Sequence, residues 1–176
     1  MIAKPYIGTN DKIESLANEV RARVVKGEEE VSPGTLVRRL VKETGGEIVV
    51  VDDPSDQEVN GGSLVIRGKR DYTVYLSPYT TPLRDNFTIA HEIGHYVLHY
   101  FLSEQDLTPP LWFARYGSSP IEWQANRFAA AILMPRDEFA QAYQEHRGNL
   151  HLLSGKFDVS LPAVEVRAKS LGLQKG

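Results

Sequence analysis

The spacing of apolar residues predicts helices at both ends of the chain and a short run of strands between them. Five apolar residues recur at helical spacing within residues 11–26: Ile13, Leu16, Ala17, Val20 and Val24. A second helix is predicted to begin at Ser32, the cap, and Pro33, the first helical position, and to end at Gly45-Gly46. These two helices precede the first β-branched segment.

Three segments rich in β-branched residues predict strands at 47–51, 63–67 and 72–76, and the last two flank a turn at 68–71. From residue 84 onward the apolar spacing is helical again. It predicts helices at residues 84–101, 121–133, 136–146, 148–156 and 161–171. Helices, then a small three-stranded sheet, then helices again indicate an α+β fold.

The length of 176 residues is close to that of one average domain, so we expect a single domain. Within it we distinguish N-terminal helices at 1–46, a central sheet and site region at 47–135, and a C-terminal helical region at 136–176. Residues 103–120 contain Pro109-Pro110 and a Gly-Ser-Ser-Pro run, which predicts an ordered loop or lid.

The composition excludes several kinds of site. There is no cysteine, so disulfides, thiolate metal sites and a cysteine nucleophile are absent. A net charge of −3 is not that of a protein that coats nucleic acid, and direct nucleic-acid binding is not expected. No apolar run approaches the roughly 20 residues of a membrane span, and the first residues lack a signal-peptide core. We therefore expect a cytoplasmic protein without membrane contact.

Residues 91–95 read His-Glu-Ile-Gly-His, an H-E-x-x-H motif inside a predicted helix. Two imidazoles four residues apart lie on one helix face, so both can reach one metal ion. Glu92 points about a quarter turn away and is placed to act as a general base on a water molecule. The motif predicts His91 and His95 as metal ligands and Glu92 as the catalytic base.

A catalytic zinc site needs a third protein ligand. His99 follows His95 by four residues but lies too far along the helix from His91 to share one tetrahedral ion. Glu122 is the better candidate, because it borders the apolar stripe of helix 121–133, where an unpaired carboxylate is costly. Its position in the first helical turn also suits a carboxylate for purely structural reasons. Asp85 is a further alternative.

Other polar residues near these motifs have less specific candidate roles. The amide oxygen of Asn126 could accept the outer N–H of a ligating histidine. Four side chains are unranked candidates for stabilising an oxyanion: Arg84, Tyr79, His99 and Tyr100. The strand 72–76 could also offer an edge to an extended substrate.

The block from Phe87 to His99, with the block from Glu122 to Pro135, resembles the ImmA/IrrE-type zinc metallopeptidases of bacteria and phages. The resemblance implies a zincin-like fold and one zinc ion per chain. It matches His91, His95 and Glu122 to the metal ligands and Glu92 to the catalytic glutamate. It also implies a cytoplasmic regulatory protease that acts on helix-turn-helix repressors.

Two other interpretations belong to different functional classes. Residues 150–171 resemble two helices joined by a tight turn, as in helix-turn-helix DNA binders, but their apolar residues favour core packing. The chain could also be a zinc-bearing protein that binds a regulator without cutting it, as in a toxin–antitoxin-like pair. Cleavage of a defined partner separates this last interpretation from a protease.

Overall fold

The computed structural model describes residues 3–25, 31–51, 63–113 and 119–174. In those residues the elements, in chain order, are α1 Asn10–Val24, α2 Pro33–Glu43, β1 Gly46–Val50, β2 Leu64–Gly68, β3 Asp71–Leu76, α3 Pro82–His95, a π-helix Tyr96–Phe101, β4 Leu111–Phe113, α4 Pro120–Leu133, α5 Arg136–Glu145, α6 Leu150–Phe157 and α7 Leu161–Ser170. The predicted α+β class is confirmed. None of these helices combines the length and the apolar character that crossing a membrane requires.

Short hydroxyl side chains begin the helices that position the site. The Ser32 hydroxyl accepts the backbone N–H of Thr35, and Pro33 occupies the first helical position, as predicted. At the start of α3 the Thr81 hydroxyl accepts the N–H of Arg84 in the same way. Ser119 caps α4 by accepting the N–H of Glu122, which fixes the turn carrying that carboxylate.

Among the described residues the sheet has four strands in the order β1-β3-β2-β4, so the expected three-stranded sheet is wrong. The predicted hairpin is confirmed as the antiparallel pair β2 and β3, and β1 lies parallel to β3. The additional strand β4 pairs antiparallel with β2 and comes from the predicted lid. Three residues beside Pro109-Pro110 are too short a run for sequence periodicity to identify as a strand. Residues 114–118 of that lid lie outside the described residues.

The sheet order also corrects the expected substrate edge. Strand β3 is paired on both sides, with β1 and with β2, so its backbone offers no free edge to a substrate. The edge strands among the described residues are β1 and β4. In β4, Leu111 and Phe113 are buried while Trp112 between them is 48% exposed.

The helix predicted over 84–101 begins two residues earlier and changes its winding after His95. From Tyr96 to Phe101 the backbone forms a wider π-helix, which carries His99 into the interior. Tyr96, Leu98 and His99 are buried in this π-helix, and apolar spacing over so short a run does not distinguish a π turn from an α-helical one. Single π turns inside helices often occur at functional sites.

One large apolar cluster includes residues from the N-terminal, central and C-terminal regions of the chain. Fully buried examples are Ile13, Leu64, Ile89, Phe128, Phe139 and Val164. The most extensive contact between two elements joins α3 and α4, and the next joins α1 and α4. The division of the chain into one domain with three regions stays a prediction.

Gly94 allows the close contact between α3 and α4. A Cβ atom at this position would lie 3.1 Å from both the Cα and the backbone oxygen of Ala125, and 3.2 Å from the Cβ of Phe128. The obstructing atoms belong mainly to the backbone of α4, which cannot move aside as a flexible side chain can. The glycine between the two histidines of the motif therefore sets the spacing of the helices.

We expect Gly94→Ala to lower the free energy of unfolding by about 1–3 kcal/mol, because the added methyl group overpacks the contact between the helices. Gly155→Ala in α6 is the matched control, since a Cβ there meets no atom within 4 Å. Removing that glycine should stabilise the helix by up to about 1 kcal/mol. Urea unfolding of both variants in the presence of a chelator measures the difference. Equal stabilisation by the two substitutions would contradict the close contact.

Candidate metal centre

His91 and His95 lie one turn apart on the buried face of α3. Their ring centroids are 4.6 Å apart, and their Nε2 atoms lie 3.0 Å from each other. His95 is fully buried and His91 is 9% exposed. The four-residue spacing of the motif thus brings both outer ring nitrogens to one point, as the helical period requires.

Glu122 approaches the same point from the first turn of α4. Its Oε2 lies 3.1 Å from Nε2 of His91, and its Oε1 lies 3.1 Å from Nε2 of His95. The other two candidates for a third ligand are engaged elsewhere. Asp85 accepts a hydrogen bond from Thr80, and His99 lies behind His95. Glu122 is therefore the carboxylate that this structure brings to the two histidines.

Glu122 and His91 shift each other's pKa values. Burial by itself raises the pKa of the Glu122 carboxyl, but the hydrogen bonds with His91 and His95 and the charges of these rings together outweigh it and lower this pKa to about 2. Burial is the largest single effect on the pKa of His91 and lowers it, but the hydrogen bond to Glu122 and the negative charges of Glu92 and Glu122 together raise this pKa above its ordinary value. The same negative potential that attracts a proton to His91 attracts a metal cation.

The donor set fits a divalent metal ion. A tetrahedral zinc ion with bonds of about 2.0–2.1 Å keeps neighbouring ligand atoms about 3.3 Å apart. The three separations among the two Nε2 atoms and the Glu122 oxygens are 3.0–3.1 Å. His91, Glu92 and His95 also place ligand atoms within 4.8 Å of one another. Two imidazoles and a carboxylate form a common catalytic zinc set.

Glu92 is buried beside this donor set and is only partly satisfied. Its Oε1 accepts a hydrogen bond from the hydroxyl of Ser63, while its Oε2 is buried and has no hydrogen-bond partner among the described residues. Burial raises the pKa of the Glu92 carboxyl above its ordinary value. One oxygen of this carboxylate is held in place and the other remains free to act on a further group.

Ser63 was not identified from the sequence. It lies directly before β2, where its backbone N–H donates to Phe113 and its backbone oxygen accepts from Tyr75. The sheet thus holds Ser63 on both sides, and its hydroxyl reaches α3. Only the folded sheet brings residues 63 and 92 together, so no pattern along the chain could have identified the contact.

The inner nitrogens of both histidines have defined partners. Nδ1 of His91 lies 2.9 Å from Oδ1 of Asn126, the arrangement considered from the sequence. Nδ1 of His95 lies 3.1 Å from Nδ1 of His99, whose Nε2 lies 3.0 Å from Oε1 of Gln124. Burial lowers the pKa of His99 to about 4, so its ring is neutral at neutral pH.

Gln124 was also missed, although the sequence contains a signal for it. It stands four residues before Phe128 and therefore lies on the apolar stripe of α4, where an amide requires partners. The ring of Phe113 covers the other side of this cluster, 4.9 Å from the ring of His95 and 6.5 Å from that of His99. The predicted lid therefore contributes an apolar wall through β4.

A cleft of about 950 Å³ opens on the donor set. His91, Glu92 and Glu122 line it together with Tyr79 and Arg84, two of the four oxyanion candidates. The structure does not bring His99 to the cleft lining, because both of its ring nitrogens face His95 and Gln124. Tyr100 is likewise not among the lining residues of this cleft. Residues of α7 also line the cleft.

The C-terminal helices α6 and α7 pack into the core. Val164 and Ala168 are fully buried, and Arg167 is 2% exposed. The Arg167 guanidinium donates to both carboxylate oxygens of Glu14 in α1 and to the backbone oxygen of Met134. A cation committed in this way does not contact nucleic-acid phosphates, which favours the core-packing interpretation of these helices.

The family model Peptidase_M78, described as the IrrE N-terminal-like domain, matches residues 47–169. No curated protein matches the chain. A solved structure titled "Mycobacterium tuberculosis transcriptional regulator" is 19% identical with a TM-score of 0.57. The match covers 88% of this chain but 45% of that one, so the likeness is one of fold and spans less than half of the other protein.

We expect Glu122→Ala to weaken zinc binding by more than about 100-fold, because it removes the carboxylate that joins the two histidines. Competition with a chromophoric chelator measures the zinc affinity. Glu145→Ala, an exposed residue of α5, is the matched control and should leave the affinity unchanged. Unaltered zinc binding by Glu122→Ala would assign the third ligand to another residue.

Proposed function

Because the chain belongs to the Peptidase_M78 family, with its IrrE N-terminal-like domain, we propose that it is a zinc-dependent regulatory endopeptidase that cleaves a helix-turn-helix transcriptional regulator in the cytoplasm. One observation carries the proposal. The donor set of His91, His95 and Glu122 lies at the wall of a cleft, beside a carboxylate oxygen of Glu92 that has no hydrogen-bond partner within the described part of the chain. Metal ligands and a buried base at a cleft are the parts that peptide hydrolysis needs.

Nε2 of His91, Nε2 of His95 and the carboxylate of Glu122 would hold the proposed zinc ion. Zinc in such a site supplies Lewis acidity, which makes a water molecule acidic near neutral pH and polarises a peptide carbonyl. The inner nitrogen of His91 is held by Asn126, which keeps the outer nitrogen directed at the site.

Glu92 is the proposed general base and acid. Its free Oε2 takes a proton from the attacking water as the water oxygen bonds to the scissile carbonyl carbon. Its carboxyl then gives a proton to the nitrogen of the leaving amine as the carbon–nitrogen bond breaks. The raised pKa brings this carboxyl closer to neutral pH, where proton transfer in both directions is efficient. The hydroxyl of Ser63 holds Oε1 throughout, so that Oε2 keeps its direction.

The cleft supplies candidate contacts for the substrate and for developing negative charge. Tyr79, with 80% of its surface exposed, and Arg84 both line the cleft and remain the two candidates for stabilising the oxyanion. Strand β4 does not line this cleft, but it is an edge strand among the described residues, and its Phe113 ring lies 4.9 Å from the ring of His95. Its edge is the proposed pairing position for an extended substrate segment, which β3 cannot offer. The exposed indole of Trp112 on β4 adds an apolar contact for such a segment.

The proposed partner class rests on the family and on the kind of protein that shares the fold. The structurally similar mycobacterial protein is titled a transcriptional regulator. A protease for one regulator differs from a digestive enzyme in needing recognition beyond the scissile bond, and the α7 border of the cleft offers surface for it, including Val166 at 67% exposure. A zinc-bearing protein that binds a regulator without cutting it would have the same metal ligands, buried carboxylate and cleft. It would differ only in not cleaving the regulator.

We expect Glu92→Gln to lower, by about 10²–10⁴-fold, the rate of cleavage of a helix-turn-helix regulator that the unmodified chain cleaves, while zinc content is retained. The amide keeps the shape of the side chain and leaves the three proposed ligands in place. Mixing purified regulator with the zinc-loaded chain, followed by mass spectrometry of the products, measures the rate.

Glu145→Gln is the control for this experiment, since it makes the same chemical change on an exposed face of α5. Cleavage at the normal rate by Glu92→Gln would remove Glu92 as the base. Binding of the regulator without cleavage by the unmodified, zinc-loaded chain would favour the non-cleaving regulatory partner.

A further inference from the structure

A chain of hydrogen bonds connects the N-terminal segment to the metal centre. Oε1 of Gln124 lies 2.9 Å from the backbone nitrogen of Tyr6, and Nε2 of Gln124 donates to the backbone oxygen of Tyr6 at 2.9 Å. The same Oε1 lies 3.0 Å from Nε2 of His99, whose Nδ1 lies 3.1 Å from Nδ1 of His95. We call this set the Tyr6–Gln124–His99 relay.

The backbone of Tyr6 fixes the direction of the first two bonds. A backbone N–H only donates and a carbonyl oxygen only accepts, so Tyr6 pairs with Gln124 in a single amide orientation. That orientation turns Oε1, an acceptor, toward His99. Nε2 of His99 must therefore carry a proton and donate it to Gln124.

The tautomer of His99 then determines that of His95. His99 is fully buried, and its ring nitrogens contact Gln124 and His95. An imidazole that ligates a metal ion through Nε2 keeps its proton on Nδ1, so His95 offers His99 a donor and not an acceptor. A neutral ring protonated at Nε2 has its lone pair at Nδ1. Nδ1 of His95 donates to that lone pair in the zinc-loaded chain, where the zinc ion would take the place of any proton between Nε2 of His95 and Glu122.

We propose that Tyr6, Gln124 and His99 are positioning residues that fix the tautomer and ring direction of His95 for metal binding, making the N-terminal segment part of the metal centre. The proposal rests on the zinc site of the proposed function. His91 obtains the same result from one contact, because Asn126 accepts its Nδ1 proton directly. Outer partners of ligating histidines are ordinarily carboxylates, backbone carbonyls or waters, so a neutral imidazole is a distinctive acceptor.

Ring nitrogen chemical shifts of the full chain loaded with zinc test the relay directly. Long-range ¹H–¹⁵N correlation spectra distinguish a protonated from an unprotonated ring nitrogen. We expect His95 to be protonated at Nδ1 and His99 at Nε2 only. A His99 ring protonated at Nδ1, alone or together with Nε2, would overturn the proposal while leaving the zinc site standing. Failure of the unmodified chain to bind zinc would overturn the proposed function as well.

Substitutions at Gln124 separate the relay from simple anchoring of the N-terminus. Gln124→Leu removes the acceptor for His99 and should weaken zinc binding by about 10–100-fold in a chelator competition. Gln124→Glu keeps an oxygen acceptor for His99 and should retain most of the affinity. Gln105→Leu is the control, because Oε1 of Gln105 holds the same segment through the backbone N–H of Lys4 and does not touch His99.

These variants have outcomes that count against the relay. Zinc affinity of Gln124→Leu equal to that of the unmodified chain would overturn it. Equal weakening by Gln105→Leu and Gln124→Leu would assign the effect to anchoring of the segment. If Gln124→Leu does not fold, the ring nitrogen spectra of the unmodified chain still decide the question.

Discussion

The carboxylate of Glu122 lies between two imidazole nitrogens, and this contact depends on how the surrounding helices are held together. Its two oxygens each lie 3.1 Å from one Nε2 atom, and the two Nε2 atoms are themselves 3.0 Å apart. Such an arrangement needs α3 and α4 in close contact, which the absence of a side chain at Gly94 permits. It also needs the first turn of α4 to be fixed, which the cap at Ser119 provides.

Burying the polar side chains of His91, Glu92 and His95 is costly unless each has a hydrogen-bond partner. These partners come from distant parts of the chain. Asn126 accepts from His91, and the Tyr6–Gln124–His99 relay engages His95. Ser63 holds one oxygen of Glu92. The exception is Oε2 of Glu92, which has no hydrogen-bond partner among the described residues. An unsatisfied oxygen at the one place where proton transfer is proposed is consistent with a site that still needs water and substrate.

The parts of the site that sequence could predict are those governed by helical geometry. The spacing of His91 and His95 determines that they share a face, and the rules for helix starts predicted Ser32 and Pro33. Glu122 was favoured because a carboxylate beside an apolar stripe needs a partner. Ser63 and strand β4 depend on pairing between segments far apart in the chain, which no local pattern encodes. The π-helix after His95 was not predicted, because apolar spacing over six residues does not distinguish a π turn from an α-helical turn.

The proposed function requires one zinc ion that α3 and α4 would hold together. Anomalous diffraction at the zinc absorption edge, from crystals of the zinc-loaded chain, locates that ion most directly. We predict one strong peak at bonding distance from Nε2 of His91, Nε2 of His95 and a carboxylate oxygen of Glu122, with bonds of about 2.0–2.2 Å. A peak at other residues, such as His146 and His151, or one in which His99 replaces Glu122, would contradict the account.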